Sequence, residues 1–344
     1  MRTVPRVALV VQRALHHGGA SGYHQLARHL VERGFAVESL HRFPRRGVWR
    51  LVEPIARRSG LRWYGPEACF EEMWATAVTA WRHPVLHFLQ GENSYRFAAA
   101  IPGNPQRRLV ATFHLPPAVL PDYVRDPRHI ERLDAVILVA RNQLALLDGM
   151  RRRPRSFVIP HGIDTEFYRP SASPPQGGNC LVVGQWLRDF ATLDGVIARV
   201  RQRRPDLKFV LVFPADRAAA WQGRPGVEVR SSLDDVALLR SYQEATLLVM
   251  PLLDCTANNA ILEAMACGVP PVVTDIGGVR DYVDETCARL AAFGDTDGMA
   301  TAILQLLDDP AGRAAMAGAA RLRAEAFAWP RVMEQTLSVY EALQ

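Results

Sequence analysis

Apolar residues in this chain come in short unbroken blocks, with little strict alternation. "RVALVVQ" (6–12), "PVLHFL" (84–89), "RLVATFH" (108–114), "DAVILVA" (134–140) and "SFVIP" (156–160) predict strands buried on both faces, as does the weaker "FAVESL" (35–40). The pattern restarts with "CLVVG" (180–184), "FVLVF" (209–213), "VEVR" (227–230), "TLLVM" (246–250) and "PPVVT" (270–274). Between the blocks, apolar positions recur at helical spacing. Examples are "HQLARHLVERG" (24–34), which Gly34 stops, and "ATLDGVIARVRQR" (191–203). Strands alternating with helices imply parallel sheets wound on both sides. Two such runs, joined by "RPSASPPQGG" (169–178), predict two Rossmann-like doubly wound α/β domains facing across a cleft. No internal repeat or low-complexity tract interrupts them.

Ligands of doubly wound sheets bind at the carboxyl ends of the strands, near helix N-termini. Chemistry is therefore expected in the turns 13–22, 90–95, 113–117, 184–190, 230–233, 251–259 and 275–280.

Composition narrows the class. A chain of 344 residues exceeds one ordinary core, and 49% hydrophobic with 22% charged residues is globular. Its apolar blocks, such as "ATLLVMPLL" (245–253), fall far short of the roughly 20 residues of a membrane-spanning helix. The apolar run at the start reads as a buried strand and not as a signal peptide with its cleavage site. Five cysteines (69, 180, 255, 267, 287) form no C-x-x-C pair, and a reducing cytoplasm is expected.

Charge is unevenly shared. Through Pro170 there are 25 Arg against 14 Asp and Glu, a net of +11; the remainder carries 16 basic and 21 acidic residues, a net of −5. The first half is thus suited to something anionic, a membrane surface or a phosphorylated lipid, or else to a solvated Arg-rich face. Nucleic acid is disfavoured because no recognition module accompanies the charge. The single lysine, Lys208, opens a strand and serves neither a Walker A loop nor a Schiff base. "GGASGY" lacks G-x-G-x-x-G spacing, and neither G-x-S-x-G nor H-E-x-x-H occurs.

One stretch is more specific. "SFVIPHGIDTEFYRP" (156–170) runs a strand into Pro160, His161, Gly162, Ile163 and Asp164 at the junction of the halves. It resembles the interdomain hinge of the family 4 glycosyltransferases, retaining sugar-nucleotide enzymes of GT-B fold. "LRSYQEATLLVMPL" (239–252) and "EAMACGVPPVVTDIGGVRDYV" (263–283) resemble the family's donor-site strand and signature segment. "FAWPRVMEQTLSVYEAL" (327–343) is similar to its closing helix, "GGASGYHQLARHL" (18–30) to its first-domain glycine loop, and "TFHLPP" (112–117) to a strand ending in a functional His. The resemblance spans essentially the whole chain. It implies a first acceptor domain over 1–165, a linker over 166–178, a donor domain over 179–328 and a closing helix over 329–344 that crosses back to the first domain.

The implied reaction moves a hexose-type sugar from a nucleoside diphosphate sugar, of UDP or GDP type, to an unknown acceptor, with no metal and no further cofactor. The departing diphosphate must be stabilised by cations and backbone amides. Asn258 and Asn259, capping the helix that carries Glu263, would aim such amides, with Thr256 in the same turn; a plain helix cap is the simpler reading. Glu263 falls on the second Glu of the family's E-x7-E signature, which implies bonds from a ribose diol, with a structural cap or salt bridge as the alternative. Gly18 and Gly19 would let backbone approach the donor phosphates or the acceptor, and Gly184 opens the implied donor loop. His114 matches the family His beside the donor sugar, although a strand-end His is often just a hydrogen-bonded polar residue. Glu92 and Asn93 could meet the acceptor.

The chain departs from the family where its first signature Glu is replaced by Cys255, so that Asp254 is the carboxylate able to take over catalysis. In the donor loop, Gln185 and Phe190 stand where the family has Arg and Lys. Arg188 is the cation left to hold phosphate, unless it pairs with Asp189 or Asp194; Arg280 is a second candidate. These departures raise a rival, a non-catalytic glycosyltransferase-like subunit that binds a nucleotide sugar or a partner protein. A GT-B epimerase or hydrolase is a weaker one. Finally, "RFPRRGVWRLVEPIARRSGLRW" (42–63) mixes Arg with apolar residues and could dock on anionic lipid from the cytoplasmic side, as a peripheral protein, or else form an Arg-rich core-packing loop; Pro54 is expected to break its helix.

Overall fold

Parallel pairing of the apolar blocks builds two six-stranded sheets. The computed structural model describes residues 7–11, 19–32, 37–39, 46–79, 81–82, 84–172 and 178–344. Gly18, Gly34 and 173–177 of the expected linker lie outside them. The chain divides into two units. The first domain comprises Met1–His17, Gly22–Gly162 and Trp329–Gln344; the second comprises Ile163–Ala328 together with Gly18–Ser21.

The first domain contains β1 (Val7–Val10), α1 (Gln25–Glu32), β2 (Val37–Ser39), α2 (Arg46–Arg57), α3 (Pro66–Thr79), β3 (Val85–Phe88), α4 (Gly91–Ser94), β4 (Arg108–Phe113), α5 (Leu120–Tyr123), β5 (Ala135–Leu138) and β6 (Arg155–Val158). Its sheet runs β2-β1-β3-β4-β5-β6, with every neighbour parallel. All four residues of β1, β3 and β5 are buried, which explains their unbroken apolar sequence. Pro54 does not break α2, contrary to expectation. The proline and Arg50, whose carbonyl loses its partner, both lie on the exposed side, while Val52 and Ala56 are buried against Cys69 and Leu61.

The second domain contains β7 (Asn179–Val183), α6 (Phe190–Arg203), β8 (Lys208–Val212), α7 (Ala215–Ala218), β9 (Val227–Arg230), α8 (Asp235–Gln243), β10 (Leu247–Met250), α9 (Asn259–Ala266), β11 (Pro271–Thr274), α10 (Val279–Tyr282), β12 (Arg289–Ala291), α11 (Thr296–Asp308) and α12 (Pro310–Glu325). Its sheet order is β12-β11-β10-β7-β8-β9, again parallel throughout. Read from β9, this is the 3-2-1-4-5-6 winding of dinucleotide-binding folds, and the strand order reverses between β7 and β10. β12 escaped the sequence reading, since three residues led by a half-buried arginine make no apolar block.

The last helix, α13 (Trp329–Ala342), belongs with the first domain. Tyr340 hydroxyl meets His87 Nδ1 at 2.6 Å, and Thr112 Oγ1 meets Nε2 at 2.8 Å. Burial holds that imidazole down at about 3, well below its usual value. Gly162 is required where it stands, because a Cβ would lie 2.3 Å from the Trp329 ring. Among the described residues, no helix is long and apolar enough to cross a membrane.

Candidate functional site

In the second domain, the reversal between β7 and β10 brings two loops together. The loop after β7 turns at Gly184, φ +77°, where only glycine is relaxed. It then runs antiparallel to the loop after β10. Asp189 N–H donates to Pro251 O at 3.0 Å, Leu253 N–H donates to Leu187 O at 3.0 Å, and Arg188 bridges Leu252. Asp189 also caps α6 by accepting from Thr192 N–H and Oγ1 at 3.0 and 2.6 Å.

Arg188 lies inside this ladder. Its Nε and Nη2 donate to Val183 O at 3.1 and 2.9 Å, and Nη1 donates to Trp186 O at 2.9 Å. Burial lowers its pKa to about 10. The pairing with Asp189 or Asp194 does not occur; Asp194 bonds Arg224 instead. Arg188 therefore ties its own loop together. Phe190 packs edge-on against Phe213, with ring centroids 5.5 Å apart, and the Arg217 guanidinium lies 4.8 Å from its ring centroid. Arg280 is held by Asp275 and Glu285 at the surface.

The turn after β10 is closed by its own side chains. Asp254 Oδ1 accepts from Cys255 N–H at 2.7 Å, and Cys255 Sγ–H donates to Thr256 O at 3.1 Å. Burial pushes the Cys255 thiol up to about 12. Thr256 is buried and Asn259 half-buried. Asn258 is the N-cap of α9, accepting from Ala260 and Ile261 N–H at 3.1 and 3.4 Å, so the plain cap reading holds. The segment after β11 packs on this turn: Gly278 N–H donates to Cys255 O at 2.8 Å, and Gly277, φ +58°, leaves no room for a Cβ beside that carbonyl.

Glu263 is buried on α9, and the protein itself satisfies both carboxylate oxygens. Ser21 Oγ–H donates to Oε1 at 2.6 Å and Tyr242 O–H donates to Oε2 at 2.7 Å. Burial raises the carboxyl pKa, and the two hydroxyl bonds pull it back. The neighbouring phenols of Tyr168 and Tyr242 are pushed far up, by burial first and by Glu263 next. The burial of Glu263 is thus offset within the protein. Each oxygen can still accept a second bond. Gly19 and Ala20 N–H donate to Asp235 Oδ2 at 2.6 and 3.2 Å, so these glycine-loop amides, expected to face phosphate, carry a carboxylate instead. Gly18 lies outside the described residues. Ser21, Asp235 and Tyr242 were missed because each is far in sequence from what it bonds and belongs to no local pattern.

The first domain gathers a second group. His114, after β4, places Nε2 2.7 Å from Leu89 O. Glu92 is buried with Oε1 accepting from the N–H groups of His114 and Leu115, the latter at 2.7 Å. It fixes the turn that carries His114, a task different from the acceptor contact expected of it. Asn93 is half-buried, and its Oδ1 finds no hydrogen-bond partner among the described residues. Tyr23 and His161 lie edge-on to His114, with Tyr23 and His114 centroids 4.8 Å apart, and Trp329 packs on Tyr23 and His161. Among the described residues, no group of three His, Cys, Asp or Glu could hold a metal.

Residues 181–309, which carry both zipped loops and Glu263, match the family model of glycosyl transferases group 1. The chain is related to the group 1 glycosyltransferases. Its fold is GT-B. A D-inositol 3-phosphate glycosyltransferase of Arthrobacter sp. (strain FB24) is 30% identical over 212 residues, covering 54% of this chain and 49% of that relative. A phosphatidyl-myo-inositol mannosyltransferase of Mycolicibacterium smegmatis is 26% identical over 198 residues, covering 54% of this chain and 51% of the relative. The chain thus spans about half the length of these curated relatives. Sucrose-phosphate synthase from Thermosynechococcus elongatus superposes with a TM-score of 0.72 at 18% identity, over 98% of this chain and 99% of the other. Anabaena HepE in complex with UDP and glucose gives a TM-score of 0.65 at 16% identity, covering 98% and 99%.

Proposed function

We propose that this protein transfers a hexose-type sugar, with retention, from a nucleoside diphosphate sugar of UDP or GDP type to an acceptor hydroxyl. One observation carries the reading: the loops after β7 and β10 are zipped together at the strand-order reversal, directly before the helix that buries Glu263. Doubly wound folds bind nucleotides at that position. The names of the relatives, an inositol phosphate glycosyltransferase and a mannosyltransferase, and the UDP and glucose held by HepE support the same substrate class.

In this reading the anomeric C–O bond breaks, its electron pair goes to the leaving phosphate oxygen, the acceptor oxygen bonds the anomeric carbon on the same face, and the phosphate takes the acceptor's proton. The second domain holds the donor. The ribose adds its hydroxyls to the free acceptor sites of Glu263. The diphosphate meets the α9 amides beyond Asn258, Asn259 and Thr256, and the relaxed backbone at Gly184. Arg188 keeps the loop in shape and contributes its charge from behind it. Asp254 serves the sugar from the second domain, and the Gly19 amide turns to phosphate once phosphate replaces Asp235. The first domain holds the acceptor, with Asn93 as a contact; the acceptor is a cell-surface glycan, a lipid-linked glycan or a small molecule. The protein works in the cytoplasm, peripheral on the inner face of a membrane, a site suggested by the +11 charge through Pro170.

A panel of UDP- and GDP-sugars, scored by thermal shift and by release of free nucleoside diphosphate, tests the reading. One donor should stabilise the protein and be turned over, faster with an acceptor present. The capture of Arg188 by carbonyls and of Asp254 by its own turn favours a second reading, a non-catalytic subunit. That one requires stabilisation by a donor with no nucleotide release under any condition.

A further inference from the structure

We propose that the outward stripe of α2, with the segment following it to Trp63, docks the protein on an anionic lipid bilayer. This gives a surface to the peripheral-membrane part of the function above and is independent of the donor site.

The exposed residues of the helix and its end fall at 50, 51, 54, 57 and 58, a spacing that puts them on one face. The opposite face is committed, with Val52 and Ala56 buried in a cluster that includes Leu61, Tyr64 and Cys69. Leu51 is 73% exposed and Trp63 is 48% exposed. Trp63 does not swing freely: its ring lies 4.1 Å from that of Tyr123, and the Arg62 guanidinium lies 5.0 Å from the same Tyr123 ring. Leu51 and Trp63 thus stand exposed within an arginine-rich stretch.

Charge complementarity names the partner. From residue 46 to 63 there are five arginines, 46, 50, 57, 58 and 62, against the single carboxylate of Glu53, a net of +4. Glu53 is taken by Arg57, at 2.7 Å. Among the described residues no acidic side chain pairs with Arg50, Arg58 or Arg62. Arginines interleaved with a leucine, a proline and a tryptophan suit the boundary between headgroup phosphates and acyl chains. The guanidinium groups engage the phosphates, while Leu51 and Trp63 enter the apolar layer. A nucleic acid would use the arginines but leave Leu51 without a role. The neighbouring α3 exposes Met73 and Trp74 as well.

The test is sedimentation of the full chain with phosphatidylcholine vesicles containing about 30% phosphatidylglycerol, and with phosphatidylcholine alone. The protein should bind the anionic vesicles at low salt and leave the neutral ones in solution. The double variant Arg50→Glu, Arg58→Glu and the single variant Leu51→Glu should each weaken binding by about tenfold or more while the melting temperature stays put, because all three side chains are exposed. Equal binding to both vesicle types, or anionic binding untouched by both variants, overturns the proposal. So does short duplex RNA that binds as tightly as the vesicles and is indifferent to Leu51→Glu, which would assign the face to polyanions. Donor turnover by the same preparation is scored separately, so failure on vesicles leaves the glycosyltransferase reading standing.

Discussion

Glu263 shows at the scale of one residue how a buried charge is kept. Ser21 and Tyr242 each donate to one oxygen, and burial still holds the carboxyl above its ordinary pKa. Tyr242→Phe removes one donor and should cost about 1–3 kcal/mol. The sign with pH is set by the raised value. Above it the native state carries a buried, under-bonded charge, and below it the group is neutral and the penalty fades. The melting temperature deficit of Tyr242→Phe should accordingly be larger at pH 8 than near pH 5; a deficit independent of pH would contradict this account of Glu263. In the adjoining turn, Asp254→Asn should lower turnover far more than Cys255→Ala. Burial keeps the thiol protonated and it donates to Thr256 O, and its truncation leaves just a small cavity. Steady-state rates of the two variants check the order. The candidate residues were legible here by type and place, but their partners were not. Arg188 could be read as a loop cation, yet nothing local told that the Val183 and Trp186 carbonyls would claim it. Tyr242 lies on another helix, 21 positions from the carboxylate it bonds.

Elements were read from the sequence where burial on both faces made the pattern monotonous. Blocks such as "DAVILVA" became β5, flanked on both sides by parallel neighbours. Where one face is half exposed, as at β12, no block exists to be read. Pro54 misled because helix propensity is local, whereas α2 is held by the packing of Val52 and Ala56. The segment after β11 offers a test at this scale. Gly277 sits at φ +58° with the Cys255 carbonyl 2.2 Å from where a Cβ would be. Gly277→Ala should cost about 1–3 kcal/mol and displace the 254–256 turn, lowering donor affinity together with the melting temperature. A variant with unchanged melting and binding would show that these two segments are not packed as described.

At the scale of the whole molecule, two parallel sheets of the same class differ in charge and in what they match. The first domain carries the basic half and receives α13 through His87, Tyr340 and the Gly162–Trp329 contact. The second carries the group 1 match and the reversal between β7 and β10. The alternation of strands and helices made the class legible. Strand order was not, because it depends on which apolar blocks pair across long crossovers. The central claim is that Glu263 serves a nucleotide sugar and is not merely a buried structural charge. Titration calorimetry of the wild type and Glu263→Gln, using the donor that the panel selects, tests this directly. The amide keeps the shape and removes the buried charge, so melting at pH 8 should hold or rise while donor affinity falls by about tenfold or more. Equal donor affinity in the two proteins would contradict the account.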